Sequence, residues 1–317
     1  MRKTLTKISR GLYPNKTACV VFIVMICCFH AGIGLSADGE GKHVFHVGIS
    51  YKSMGNTNTN DATAAMKAWA SIINSEQGNK IKLDVKLLNN SAEEMKKSYM
   101  NGEYDGLSVS LPELFEMNLA IPEYVYTGRR RNGISVNYIV IAHSHGRVTS
   151  IEDLSNCKLV SSDNNIMVMV RQWLDVLLSE SDSRKRNDPI IVKNFSQAIL
   201  QVFFMQADAA IVTREAFDLA CELNPQLKKD IRVLYESPPL VSGVFIFKSS
   251  KGNDEDLASL QKLILNADKT PGGRQVLTVF QTSNLGKFPA SMLNSTIEFL
   301  KKHKQINKES KAATGAP

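Results

Sequence analysis

"LVSSDNNIMVMVRQWL", residues 159–174, opens with strand formers, passes through five small polar residues and continues as an apolar helix. A strand that turns into a helix through small polar residues often cradles a ligand, because the free N–H groups of a helix start attract anions. An aspartate stands in the middle of this run. The stretch Ser161-Ser162-Asp163-Asn164-Asn165 is therefore either a ligand cradle or a helix cap. A carboxylate there satisfies the helix dipole by itself, by about 0.3–1 kcal/mol.

Outward from this junction the chain alternates short apolar runs with helical patterns, which argues for a parallel α/β architecture. "HVFHVGIS" (43–50), "IKLDVKLL" (81–88) and "YDGLSVS" (104–110) read as strands, and "ISVNYIVIAH" (134–143) as a long alternating one. The helix at 60–76 places Ala65, Trp69, Ile72 and Ile73 on one face. Ser91 with Glu94, and Ser110 with Glu113, have capping-box spacing, and Pro112 fits a first helical turn. A second, similar unit begins at "SIEDLSNCKLVSS" (150–162), and the strands "IRVLYES" (231–237) and "SGVFIFKSS" (242–250) carry the chain back to the first. The expected fold is α/β and two-lobed, each lobe a mainly parallel sheet flanked by helices, with a hinge of crossing strands. Lobe 1 takes residues 43–142 and 244–300, lobe 2 takes 143–243, and the polar tail 301–317 is expected to be disordered.

Ligands of such sheets bind where loops leave the carboxyl ends of strands, which selects residues 50–60, 108–112, 161–165, 194–197 and 213–215. The first of these is long and rich in hydrogen-bonding side chains. Lys52 there can meet an anion, while its Asn and Thr residues either cap the next helix or hold a ligand. Ser108 and Ser110 end a strand on the same side; Ser110 as a helix cap does not exclude a ligand contact.

The first 37 residues differ from the rest. Arg2, Lys3, Lys7, Arg10 and Lys16 precede the apolar run 19–29 and the small-residue stretch "AGIGLSA". That is the layout of a secretory signal, with cleavage expected near Ala37. The protein is thus expected in the periplasm or otherwise exported, or membrane-anchored where the leader stays uncleaved. Cleavage lowers the net charge from +7 to +2, so the basic balance argues little for nucleic acid. Only Cys157 and Cys221 survive it; they either pair or stay as free thiols, and their spacing fits no metal motif.

Several fragments, in order, carry a family resemblance: "SIEDLSNCKLVSSD", "NGEYDGLSVSLPEL", "QVFFMQADAAIVTREAF", "NPQL…LYESPPLVSGVF" and "TPGGRQVLTVFQ". Together they resemble the phosphate/phosphite/phosphonate substrate-binding proteins of ABC transporters, which have the type II periplasmic binding protein fold. The resemblance spans roughly residues 43–285. It implies that a small ligand is held between two lobes and delivered to an ABC permease. It also implies contacts from Tyr51 in the first loop, from Tyr138 on the crossing strand, and from Ser161 and Ser162; Lys52 and Ser53 are candidates from the polar character of the first loop itself. Asp163, Asn164 and Asn165 stand where the family has hydroxyls, and Thr213 where an acidic residue often follows the strand. Two unit charges about 4 Å apart repel by roughly 4 kcal/mol at an effective dielectric near 20, so Asp163 opposes a phosphate-like dianion. A neutral, cationic or zwitterionic ligand fits better, or one whose anionic end binds elsewhere.

Arg129-Arg130-Arg131 reads as a solvated charge run that could attract anions at the rim. His143 and His145 share a strand face without a third metal ligand nearby, and Met167 and Met169 read as core. No phosphate loop, nucleophile elbow or zinc signature occurs, so neither catalysis, a cofactor nor a metal is expected. The expected protein is a monomeric solute-binding component for an ABC importer. The alternative is a sensor that presents its bound form to a membrane receptor.

Overall fold

A computed structural model describes residues 43–54, 59–75, 81–131, 133–162, 167–179, 187–248, 254–280 and 282–314. The expected leader, the polar triplet Asp163-Asn164-Asn165 and residues 55–58 of the first loop lie outside these residues.

The first sheet contains β1 (His43–Ser50), β2 (Ile81–Leu88), β3 (Gly106–Ser110), β4 (Tyr124–Arg129), β10 (Gly243–Phe247) and β11 (Asn284–Pro289), in the order β11-β4-β10-β3-β1-β2. The second contains β5 (Tyr138–His143), β6 (Leu159–Ser162), β7 (Ile190–Val192), β8 (Ala209–Thr213) and β9 (Ile231–Glu236), in the order β7-β6-β8-β5-β9. β1, β2 and β3 run parallel, as do β6, β7 and β8, while β10 and β5 run against their neighbours. Each sheet therefore combines a parallel block with a reversed strand that has arrived from the other lobe.

The helices are α1 (Thr59–Ser75), α2 (Ala92–Met100), α3 (Leu111–Met117), α4 (Met167–Leu178), α5 (Phe195–Phe203), α6 (Arg214–Leu223), α7 (Pro225–Asp230), α8 (Asp254–Leu265), α9 (Pro271–Val279) and α10 (Asn294–Thr314). Both expected capping boxes form, at Ser91/Glu94 and Ser110/Glu113. Gly102, at φ +81°, turns the chain just beyond α2. Ala65, Trp69 and Ile73 of α1 are buried, but Ile72 lies on the exposed flank against α9. A Cβ at Gly273 would stand 2.1 Å from the backbone oxygen of Ala267, and this close approach at the start of α9 requires glycine there.

Two expectations on domain limits change. β5 belongs to the second sheet, because Tyr138–Ala142 pair with Thr213–Ala209; the first crossing is thus at Arg130–Asn137, not after residue 142. The second is at Ser237–Ser242, and the two crossings hold each other through Val136 and Leu240, whose N–H groups donate to one another's carbonyls at 2.8 and 3.0 Å. The tail is not disordered from residue 301: α10 continues to Thr314. Its start is anchored by buried Leu293, Phe299 and Leu300, and His303 Nε2 lies 3.2 Å from Asp175 Oδ2 of α4. Polar composition hid this helix because one narrow apolar edge is enough to dock it.

Among the described residues no helix is long and apolar enough to cross a membrane. Cys157 and Cys221 are free, Cys157 being buried. Burial, helped by Asp208, pushes the Cys157 thiol up to about 11. The reactive species is the thiolate, so at pH 8 the folded protein should alkylate at Cys157 about two orders of magnitude more slowly than an unfolded chain. Labelling should speed up as pH rises toward 11. Rapid modification of Cys157 at pH 8, read by peptide mass spectrometry, would contradict its burial.

Candidate functional site

The registers show where the two sheets face each other. β10 begins at Gly243 opposite Ser110, the last residue of β3. β5 begins at Tyr138 opposite Thr213, the last residue of β8. Both crossings therefore enter at the carboxyl ends of the parallel strands, the ends at which α/β sheets bind ligands.

On the first lobe, β1 runs into a 3-10 turn, Tyr51–Met54. Next to it the carboxylate of Glu113 is 2% exposed. Its Oε1 accepts from Ser50 Oγ at 2.6 Å, and its Oε2 accepts from Ser110 N and Ser110 Oγ at 3.0 and 2.8 Å. Lys52 Nζ, half exposed, stands 3.9 Å from Oε1. Lys52 is thus partly committed to a carboxylate, and Ser110 serves as the cap of α3. Ser53 Oγ donates to Ser50 O at 2.7 Å and lies 3.0 Å from Ser108 Oγ. Tyr51 is half-buried beside them.

On the second lobe, Ser161 is fully buried and its hydroxyl donates to Ile211 O at 2.8 Å, stitching β6 to β8. Ser162 is buried and partnered. Thr213 Oγ1 accepts from Ala216 N at 3.2 Å as the cap of α6. Tyr138 is wholly buried, stacked on Trp173 with ring centroids 6.4 Å apart. Its hydroxyl has no hydrogen-bond partner among the described residues, and burial raises its pKa well above the usual range. A buried hydroxyl without a partner costs about 1–3 kcal/mol. Tyr138→Phe is therefore expected to hold or raise the melting temperature, against the usual trend for core changes; a clear drop would show that the hydroxyl is satisfied.

The structure thus brings Ser53 and Ser108 into contact and gathers Lys52, Ser50 and Ser110 around the carboxylate of Glu113. It places Tyr138, Thr213, Ser161 and Ser162 at the facing end of the second sheet. Asp163, Asn164 and Asn165 lie outside the described residues. His143 Nδ1 accepts from His145 N at 3.1 Å, and among the described residues no group of three metal-ligating side chains occurs.

Sequence reasoning passed over Glu113 as a polar group of the cleft and read Arg130 only as one of a charged run. The three arginines part company at the end of β4. The guanidinium of Arg129 lies over the Phe288 ring at 5.1 Å, and Arg131 pairs with Glu222 at 3.3 Å. Arg130, between them, lines a cavity of about 180 Å³ that Ser53, Ser108, Thr127 and Ser242 also line. No side-chain hydrogen bond or ion pair engages Arg130 among the described residues. The signal was the period-two alternation of a strand end, which turns the middle arginine to the opposite face from its neighbours.

Comparison with known proteins supplies independent findings. The family model described as "ABC transporter, phosphonate, periplasmic substrate-binding protein" matches residues 57–292. No curated protein matches the chain in sequence. Among solved structures, a Xanthomonas citri protein bound to ATP aligns with a TM-score of 0.56 at 13% identity, over 84% of this chain and 98% of that one. PhnD1 of Prochlorococcus marinus in complex with methylphosphonate aligns with a TM-score of 0.52 at 14% identity, over 82% and 98%. The binding component of a Pseudomonas aeruginosa ABC phosphonate transporter aligns at 0.52 and 14% identity, over 84% and 88%. At such identities the likeness speaks for the fold, two α/β lobes of the type II periplasmic binding protein kind.

Proposed function

Because this chain belongs to the family of periplasmic substrate-binding proteins of ABC phosphonate transporters, we propose that it closes its two lobes on a small organic oxyanion or zwitterion and hands it to an ABC permease. The family consists of transport components, not enzymes. The ligand's anionic group is held from the hinge by Arg130, not by a hydroxyl cluster at the start of α4.

The observation that supports this reading is Arg130, which lines a cavity beside the first crossing and whose guanidinium makes no side-chain hydrogen bond or ion pair among the described residues. The polar run of the second lobe argues the same way by its charge. Asp163 in the sequence repels an oxyanion at that helix start, while a cation at the hinge attracts one. The cation is also an arginine, whose planar fork matches a phosphonate or carboxylate through two parallel hydrogen bonds. Closure at two crossings that hydrogen-bond each other fits a hinge motion in which few residues change conformation.

The test is thermal unfolding with inorganic phosphate, methylphosphonate, a zwitterionic aminoalkylphosphonate and an uncharged alcohol as control. A ligand at about 100 times its Kd stabilises by roughly 2.7 kcal/mol, a shift of several degrees for a chain of this size. The reading expects that shift from an organic phosphonate and not from the alcohol. No shift with any anion at millimolar concentration would refute it.

A further inference from the structure

We propose that the transported ligand carries an apolar substituent, which lodges in a subsite inside the first lobe, between its sheet and helices α1, α8 and α9. The proposal rests on the binding function stated above.

The cavity that begins at Arg130 does not end at the polar rim. Its 180 Å³ reach inward to Met66 and Trp69 of α1, Ile264 of α8, Val276 of α9 and Phe280 just beyond it. Native cores hold few voids larger than a water molecule, so an opening of this size within an apolar layer is itself unusual. Strand alternation explains how a polar rim meets an apolar interior. Leu107 and Val109 of β3 face the core shared with the second lobe, which turns Ser108 between them to the α1/α9 side. The seam beside it is loosely sewn. β10 and β4 pair at Phe245 and Tyr126 alone, and a side-chain bond from Thr127 Oγ1 to Gly243 O at 2.9 Å takes over nearer the hinge.

The chemistry of the rim also assigns the ligand's two ends. Ser53 gives its proton to Ser50 O, so Ser108 donates to Ser53 and the pair turns lone pairs, not protons, toward the cavity. Lone pairs do not hold an oxyanion, and Arg130 is the charged residue among those lining the cavity, so the charged end goes to it. Past the serines the walls are hydrocarbon and aromatic. An apolar cavity of about 150 Å³ stays dry and accepts a benzene ring, so a cavity of 180 Å³ whose polar rim takes the charged end leaves inner room for a substituent of up to about four to six carbons. Inorganic phosphate and methylphosphonate would leave this inner part empty.

Titration calorimetry of the protein with n-alkylphosphonates from methyl to octyl tests the assignment. Each buried methylene should tighten binding about threefold to fourfold until the cavity is full, with no further gain beyond about six carbons. Val276→Phe, which narrows the cavity, should flatten that dependence; its melting temperature reports whether it folds. Equal affinity across the wild-type series, or weaker affinity with length, overturns the subsite while leaving the phosphonate-binding function intact. No binding by any member overturns that function, and the subsite with it.

Discussion

Replacing Glu113 with alanine should destabilise the protein by about 3–5 kcal/mol, because it strips the acceptor from several buried donors at once. The carboxylate accepts from Ser50 Oγ, Ser110 N and Ser110 Oγ, all within 3.0 Å, at a position 2% exposed. Its removal breaks the capping box of α3 and orphans the hydroxyl that ends β1. Lys52 Nζ at 3.9 Å loses its counter-charge too, though half exposure lets water screen that loss. Glu113→Gln retains one carbonyl acceptor and should cost less than half as much. Denaturant unfolding of the two variants decides the matter. Equal costs would mean that the packing of the side chain, not its hydrogen bonds, holds the first-lobe rim.

Arg130→Ala should weaken binding of an organic phosphonate by about 30- to 150-fold, the value of charge-assisted hydrogen bonds worth roughly 2–3 kcal/mol. The unliganded protein should melt near the wild-type temperature, because no side-chain partner of Arg130 is lost among the described residues. Arg130→Lys keeps the charge without the planar fork and should recover only part of the affinity. Arg131→Ala is the matched control: it breaks a surface pair with Glu222 and should leave binding unchanged. Arg130→Ala binding as well as wild type would place the anionic end elsewhere.

Local rules made much of the fold legible. The apolar runs at 43–50, 81–88 and 104–110 became β1, β2 and β3, and the serine–glutamate spacings became capped helices, since both depend on neighbours within a few residues. Strands β4 and β11 escaped notice for the opposite reason. "YVYTGR" and "NLGKFP" are short and irregular, and they become strands by pairing with each other across more than 150 residues. The α10 helix escaped because its apolar edge is narrow, and what it docks against comes from α3 and α4.

The site divides in the same manner. Ser108 and Ser110 were legible as a strand end on the ligand side. The cap that Ser110 makes was legible too, from its spacing to Glu113; that Ser161 and Thr213 spend their hydroxyls on a strand seam and another cap was not, because each bond is set by backbone geometry around it. By itself the sequence determined an α/β chain of two successive units, the carboxyl-end loops and the acidic residue in the polar run at 161–165. Only the tertiary structure decided which crossings join the sheets, that Glu113 is buried, and that Arg130 alone of three adjacent arginines turns into a cavity. Propensity and periodicity act over a few residues and are written locally. Burial and pairing are settled by what distant segments bring to the same place.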